Sequence, residues 1–267
     1  MAIMNKTYYF VSGMPRAGST LLMNILGQNP RFHVTGTSGI MDVIFGIRNT
    51  WQKHIEFQAA PDEAAKLRVM RGILDAYYGN VEKPVVFDKC RGWLSLLEMA
   101  ETLLGHKAKV LVPVRDLRDI ITSFEKLWRE TSKTSQIAQE HHFYHEFQTV
   151  EGRCDVWVRG DQPVGLAFNR IKDALHRGFR DRMHFVHFEK LTSNPDKTLR
   201  GIYEFLDETP YAHDFDRVEQ ITWENDEVHG MKGLHDIRSK VEPVKSQYLQ
   251  IIGKQAAETL KGPYPWD

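Results

Sequence analysis

Two cysteines in 267 residues, Cys90 and Cys154, are too few for a disulfide framework or a thiolate metal cluster, and they fit a reducing compartment. An excess of one charge sign is missing as well. The 35 Lys and Arg balance the 35 Asp and Glu, so no global basic field draws in nucleic acid or an anionic membrane. Any anion site in this chain must therefore be local. No apolar run approaches the ~20 residues of a membrane span, and Met1 to Lys6 lack the long apolar segment of a secretion signal. A cytoplasmic protein with neither nucleic-acid nor membrane partners is the expectation. Internal repeats and low-complexity stretches are also absent. With 42% hydrophobic residues and no shift in composition along its length, the chain reads as one domain over residues 1–267.

What is present is concentrated near the start. Tyr8-Tyr9-Phe10-Val11 suits a buried parallel strand, Gly13 and Gly18 bracket a loop, and Ser19-Thr20 open an apolar-periodic run through Leu21, Leu22, Ile25 and Leu26. A strand, a glycine-bracketed loop and a helix start present backbone N–H groups and the positive end of a helix dipole to an anion. The spelling Gly-x-x-x-x-Gly-Ser-Thr is one residue away from the phosphate loop of nucleotide hydrolases, Gly-x-x-x-x-Gly-Lys-Ser/Thr. Ser19 stands where the lysine would reach the outer phosphates of a triphosphate, and the cation sits inside the loop as Arg16. This points to a different phosphorylated donor.

Downstream, short apolar strands alternate with amphipathic runs. Arg31 to Val34, Pro84 to Lys89, Lys109 to Arg115 and Met183 to Phe188 read as strands. Ile40 to Lys53, Pro61 to Tyr78, Trp93 to Leu104, Leu117 to Arg129, Gln162 to Gly178, Asp196 to Leu206 and Gln247 to Leu260 read as helices. That alternation predicts an α/β fold, a P-loop-like three-layer sandwich with a central parallel sheet and helices on both faces. In such sheets ligands sit beyond the carboxyl ends of the strands. Arg16, Lys89 and Arg115 all fall at those ends, so three separate βα turns each deliver a cation to one edge. The trio His141, His142 and His145 lies in a polar stretch with no supporting cysteine or second cluster, and reads as a solvated helix face; no metal is expected.

Arg115 is followed eight residues later by Ser123, close to two helical turns, so the two can share a face and grip one phosphate. At this point Pro15-Arg16-Ala17-Gly18-Ser19-Thr20-Leu21-Leu22 resembles the 5′-phosphosulfate loop of sulfotransferases. Val114-Arg115-Asp116-x-Arg118-Asp119-x-x-x-Ser123 resembles their 3′-phosphate element, and Val186 to Leu191 with Asn194-Pro195 is similar to a further family stretch. The closest look is of small bacterial-type or tyrosylprotein-like members.

The resemblance implies 3′-phosphoadenylyl sulfate (PAPS) as co-substrate, no metal, and in-line transfer of a sulfuryl group to a small-molecule or tyrosine-like acceptor hydroxyl or amine. It implies that Arg16, Ala17, Gly18, Ser19 and Thr20 hold the 5′-phosphosulfate and that Arg115 and Ser123 hold the 3′-phosphate. Arg16 and Lys89 would be catalytic, Lys89 standing where the family carries its transition-state lysine. Arg238 and Lys240 lie in a segment like the family loop that folds over the nucleotide, or else in a solvated basic run.

The family's general base has no counterpart. The histidine two residues after the lysine is Arg91 here, and the glutamate after the first helix is Thr37-Ser38. His33, Asp42, His54 and His235 are candidates by loop position alone. Trp51, Phe57, Phe143, Tyr144 and Trp157 are candidate walls of the acceptor pocket. A P-loop kinase or hydrolase, and a nucleotide-binding homologue without activity, are the alternative readings.

Overall fold

The computed structural model describes residues 6–134 and 137–267. The expectation about a secretion signal falls, apart from Lys6, outside those residues. Five strands, β1 (Thr7–Val11), β2 (Phe32–Thr37), β3 (Val85–Lys89), β4 (Val110–Val114) and β5 (Met183–His187), form one sheet in the order β2-β3-β1-β4-β5. All neighbours pair parallel. Parallel strands need crossovers, and here the crossovers are the helices that the apolar periodicity marks.

The sheet is buried on both faces, which is why its strands read as continuous apolar runs. Because successive side chains point to opposite faces, Tyr8 and Phe10 enter one core while Tyr9 and Val11 enter the other. Val110 and Val112 join the first core and Leu111 the second, so β4 divides the same way. Helix α1 (Ser19–Leu26) and the helix Pro195–Leu206 cover the second core. Helix α2 (Ile40–Lys53) and the helices Glu63–Tyr77, Leu97–Leu104, Leu117–Thr131 and Pro163–His176 cover the first. The result is a three-layer α/β sandwich.

Two expected helices are subdivided. The stretch from Trp93 opens with a 3-10 turn, Trp93–Leu96, before the α-helix Leu97–Leu104. The last helix splits into Tyr248–Ile251 and Gly253–Thr259 at Gly253, whose φ of 78° no regular helix accepts. The polar stretch 131–159 contains the short helix Ala138–His142 and the longer Val150–Val158.

Strand β1 lies between β3 and β4. The chain passes from β1 outward to β2, returns through β3, and then crosses to β4 on the other side. The direction of winding therefore reverses around β1, and a crevice opens beyond its carboxyl end. Arg16 and Arg115, which follow β1 and β4, and Lys89, which ends β3, line that crevice.

Candidate active site

The loop after β1 is shaped by its neighbours as much as by its own glycines. Arg16 adopts φ 56°, an unfavourable left-handed conformation for a residue with a side chain, and Gly18 follows at φ 78°. A Cβ on Gly18 would also lie 2.6 Å from the Phe188 ring. These two turns feed α1, whose first residue is Ser19 and whose N-cap, Gly18, offers no side-chain acceptor. The amides of Gly18, Ser19 and Thr20 donate to no protein group among the described residues. They are the free N–H groups that an anion can use.

Two arginines close around that loop. Arg16 Nε donates to Ser123 Oγ at 3.0 Å and its Nη1 donates to the Leu234 carbonyl. Arg115 Nη1 donates to the Arg16 carbonyl at 3.2 Å, and the Arg115 guanidinium stacks 4.3 Å from the centre of the Phe188 ring. Neither arginine has a carboxylate in contact among the described residues. Asp116 instead pairs with Arg118 and accepts from Tyr264, while Asp119 accepts from Ser246. Burial, and then the charge of Arg115, push Arg16 below the ordinary arginine range, and burial does the same to Arg115. The Nε of Arg115 is buried with no hydrogen-bond partner among the described residues. A pair of close guanidiniums, one with an orphaned donor, is stabilised by an anion placed between them.

The cation at the end of β3 is treated differently. Lys89 is almost fully buried, and its Nζ makes a 2.7 Å ion pair with Glu224 Oε1. It does not pair with Asp88, which is itself buried and accepts from Tyr78 Oη and from Trp93 Nε1, the latter at 2.7 Å. Behind Glu224 stands His235, with Nε2 3.4 Å from Glu224 Oε2. Asp226 accepts from both the Nδ1 of His235, at 2.5 Å, and its backbone N–H, at 3.0 Å. Burial works against the charge of each of Lys89, Glu224 and His235. For Lys89 it prevails and lowers the pKa; for Glu224 the Lys89 ammonium overcomes it and holds the carboxyl below its usual range. His235 is held below the usual histidine range by burial, against the pull of Asp226.

This second group depends on the path of the segment after the helix Pro195–Leu206. Asn24 of α1 bonds that segment three times: its Oδ1 accepts from the amides of Ile221 and Thr222, and its Nδ2 donates to Thr222 Oγ1. Glu224 then comes so close to the end of β2 that a Cβ on Gly36 would lie 3.0 Å from its Cγ. Val218 and Val241 bond the backbone of Ser239 and Phe215, closing the segment into a strap. Gln220 spans the strap, donating to the His235 carbonyl and accepting from the Ile237 amide.

The two groups share one cavity of about 430 Å³, lined by Arg16, Gly18, Ser19, Thr20, Lys89, Arg115 and Ser123 and by His235, Arg238 and Lys240 from the strap. That volume suits a nucleotide-sized ligand. Lys240 also makes a 3.3 Å pair with Asp216 in which both side chains are exposed. Arg91 is exposed to the same cavity and makes no hydrogen bond or ion pair with its side chain among the described residues.

Of the candidate bases, His33 packs edge-on to Tyr78, His54 pairs with Glu56, and Asp42 is exposed on α2; only His235 lines the cavity. Trp157 lines it too, whereas Trp51 and Phe57 stack on each other and Tyr144 is exposed. Glu224 and Asp226 carry no motif around them in the sequence.

The model of the Sulfotransferase family matches residues 9–212 of this chain. The chain belongs to the sulfotransferase family. The match spans the phosphate loop, Lys89, Arg115 and Ser123, and this sulfotransferase is therefore an enzyme of sulfuryl transfer. Among solved structures, mouse sulfotransferase SULT7A1 complexed with PAP superposes with a TM-score of 0.53 at 12% identity, over 96% of this chain and 83% of that one. A sulfotransferase from Alicyclobacillus acidocaldarius gives 0.48 at 18% identity, over 78% and 84%. The sulfotransferase domain of the Synechococcus PCC 7002 olefin synthase gives 0.48 at 18% identity, over 98% and 97%. At these identities the mouse structure supports the fold. Comparison with curated proteins gave no significant match.

Proposed function

We propose that this sulfotransferase takes PAPS as its sulfuryl donor and an acceptor hydroxyl or amine as its second substrate, the donor lying across the crevice at the carboxyl end of β1. The observation that carries the reading is the joint presence of Arg16, Arg115 and Ser123 in one hydrogen-bonded group, with no ion-paired carboxylate among the described residues, beside the free amides of α1. The mouse neighbour was solved with PAP, the desulfated product of that donor. On this reading the Gly18, Ser19 and Thr20 amides and Arg16 bind the 5′-phosphosulfate. Arg115 and Ser123 bind the 3′-phosphate, which distinguishes the donor from ATP, and Arg238 and Lys240 close over the nucleotide from the strap.

In the family reaction an acceptor atom attacks sulfur in line with the bond to the leaving 5′-phosphate, and negative charge grows on the bridging oxygen. Lys89, one strand away from the phosphate loop, is the cation that meets this charge. Its ammonium is held in place by Glu224, and burial strips it of water, which strengthens its pull on a developing anion. The absence of a P-loop lysine at Ser19 separates the site from that of a nucleotide hydrolase.

Binding of adenosine 3′,5′-bisphosphate tests the reading. At a hundredfold excess over Kd it raises the melting temperature by roughly 5–10 °C, and ATP at the same concentration has a much smaller effect. Equal shifts with the two nucleotides would overturn the assignment of Arg115 and Ser123. Transfer of label from PAPS to a panel of phenols, alcohols and amines completes the test.

A further inference from the structure

We infer that His235 is the general base of this enzyme and that Asp226 positions it; the inference rests on the reading of Lys89 as the cation at the reacting sulfuryl group. The base is supplied by the strap after residue 206, not by either place where the family pattern leads one to look, now Arg91 and Thr37-Ser38.

Three geometric facts support this. First, Asp226 takes both the backbone N–H and the Nδ1 of His235, so Nδ1 carries the proton and the lone pair of the neutral ring lies on Nε2. Second, Nε2 faces the Lys89–Glu224 pair at 3.4 Å from Glu224 Oε2, longer than the ~2.7–3.2 Å of an ordinary N–H···O bond. The nitrogen thus lies beside the Lys89–Glu224 pair, on a residue that lines the cavity, without an ordinary hydrogen bond to Glu224. Third, the Gln220 side chain donates to the His235 carbonyl and accepts from the Ile237 amide, which ties down the backbone that carries the ring.

The charged and titratable groups facing the ring are Asp226 and Glu224 from the strap, Lys89 from β3, and His229, whose ring lies 5.9 Å away. Arg16 faces Asp226 from the phosphate loop. Glu224 is the weaker candidate for the role. One of its oxygens is occupied by Lys89, which also lowers its proton affinity, and it does not line the cavity. His229 lines the cavity, but it is exposed and has no carboxylate to orient it among the described residues.

The acceptor O–H proton passes to Nε2 while the oxygen's electron pair forms the new O–S bond. The S–O bond to the 5′-phosphate breaks, and its pair leaves with the bisphosphate. The imidazolium that results lies between the carboxylates of Asp226 and Glu224, which stabilise its charge, and Lys89 is free to follow the negative charge onto the bridging oxygen.

The test uses the full chain with labelled PAPS and phenols of graded acidity. His235→Asn lowers kcat by about 10²–10⁴ for weakly acidic phenols, and much less for 4-nitrophenol, whose proton is lost without help. Imidazole in the buffer restores part of the rate to His235→Ala. Asp226→Asn produces a smaller loss and displaces the acidic limb of the pH–kcat profile, whereas bisphosphate affinity stays within about threefold in all three variants. A full rate in His235→Asn across the panel would overturn the base and leave the sulfotransferase reading standing. Failure of the wild type to bind the bisphosphate would instead remove the donor reading. Independently of any acceptor, nitrogen NMR of the labelled histidines should show His235 neutral with its proton on Nδ1 at pH 7.5. An Nε2-protonated or doubly protonated ring at that pH would also overturn the proposal.

Discussion

The crevice has two halves, and each handles a cation in the opposite way. Around the loop after β1, Arg16 and Arg115 are close together, hydrogen-bonded to a hydroxyl and to carbonyls, and without a carboxylate in contact among the described residues. One strand over, Lys89 is paired with Glu224, and a histidine and a second carboxylate stand behind it. A cation left uncompensated in a concave site gains most from a bound anion, so the first half is suited to holding. A compensated cation gives up one partner to meet another, so the second half is suited to charge that appears only during reaction. On the proposed reading the same residue class serves binding in one place and chemistry in the other, and the neighbouring carboxylates make the difference.

The sharpest way to break this comparison is Lys89→Met. Removing a donor aimed at developing charge costs about 10²–10³ in the single-turnover rate, while bisphosphate affinity changes by less than about threefold; a large loss of affinity would mean that the halves are not distinct. Next comes Arg115→Ala. One charge-assisted hydrogen-bonding group is worth about 1.5–3 kcal/mol, so the Kd for adenosine 3′,5′-bisphosphate rises roughly 10–150-fold, with ATP binding little altered, as calorimetry would read.

A smaller effect comes from pH. Burial holds His33, His184, His187, His213 and His235 below the usual histidine range. Below about pH 6.5 the unfolded chain therefore binds more protons than the folded one, and stability falls as pH drops through that value and on through the lower folded pKa values. Urea titrations at pH 7.5 and 5.5 should show a lower midpoint at 5.5; equal midpoints would argue against neutral buried rings. The smallest effect is expected from Lys240→Ala. Its pair with Asp216 is exposed on both sides, so stability changes by less than about 0.5 kcal/mol, and any loss of bisphosphate affinity reports contact across the cavity.

How much of this was legible varies along the chain. The five strands were readable because burial on both faces leaves an unbroken apolar run such as Val110-Leu111-Val112, and the main helices because their cores demand a 3.6-residue period. The phosphate loop and its switch from Lys to Ser at position 19 were readable because the motif is local. Arg115 and Ser123 were placed together by helical spacing, yet their meeting point is Arg16, some hundred residues earlier, which spacing within one helix does not encode. The division of the last helix at Gly253 escaped because a single glycine is tolerated by the apolar period on both sides of it.

The strap marks the limit. Residues 213–245 have neither helical nor strand periodicity, so Glu224, Asp226 and His235 look like isolated polar residues in a coil. What brings them to Lys89 is Asn24, buried in α1 and bonding the backbone of Ile221 and Thr222 nearly two hundred positions away. By itself, the sequence determined the α/β layering and the arrival of three cations at one sheet edge, because strand burial, helix period and loop chemistry act over a few residues. The tertiary structure alone decided which of those cations is paired and which histidine stands beside that pair, because those contacts depend on where a distant, aperiodic segment is tied down.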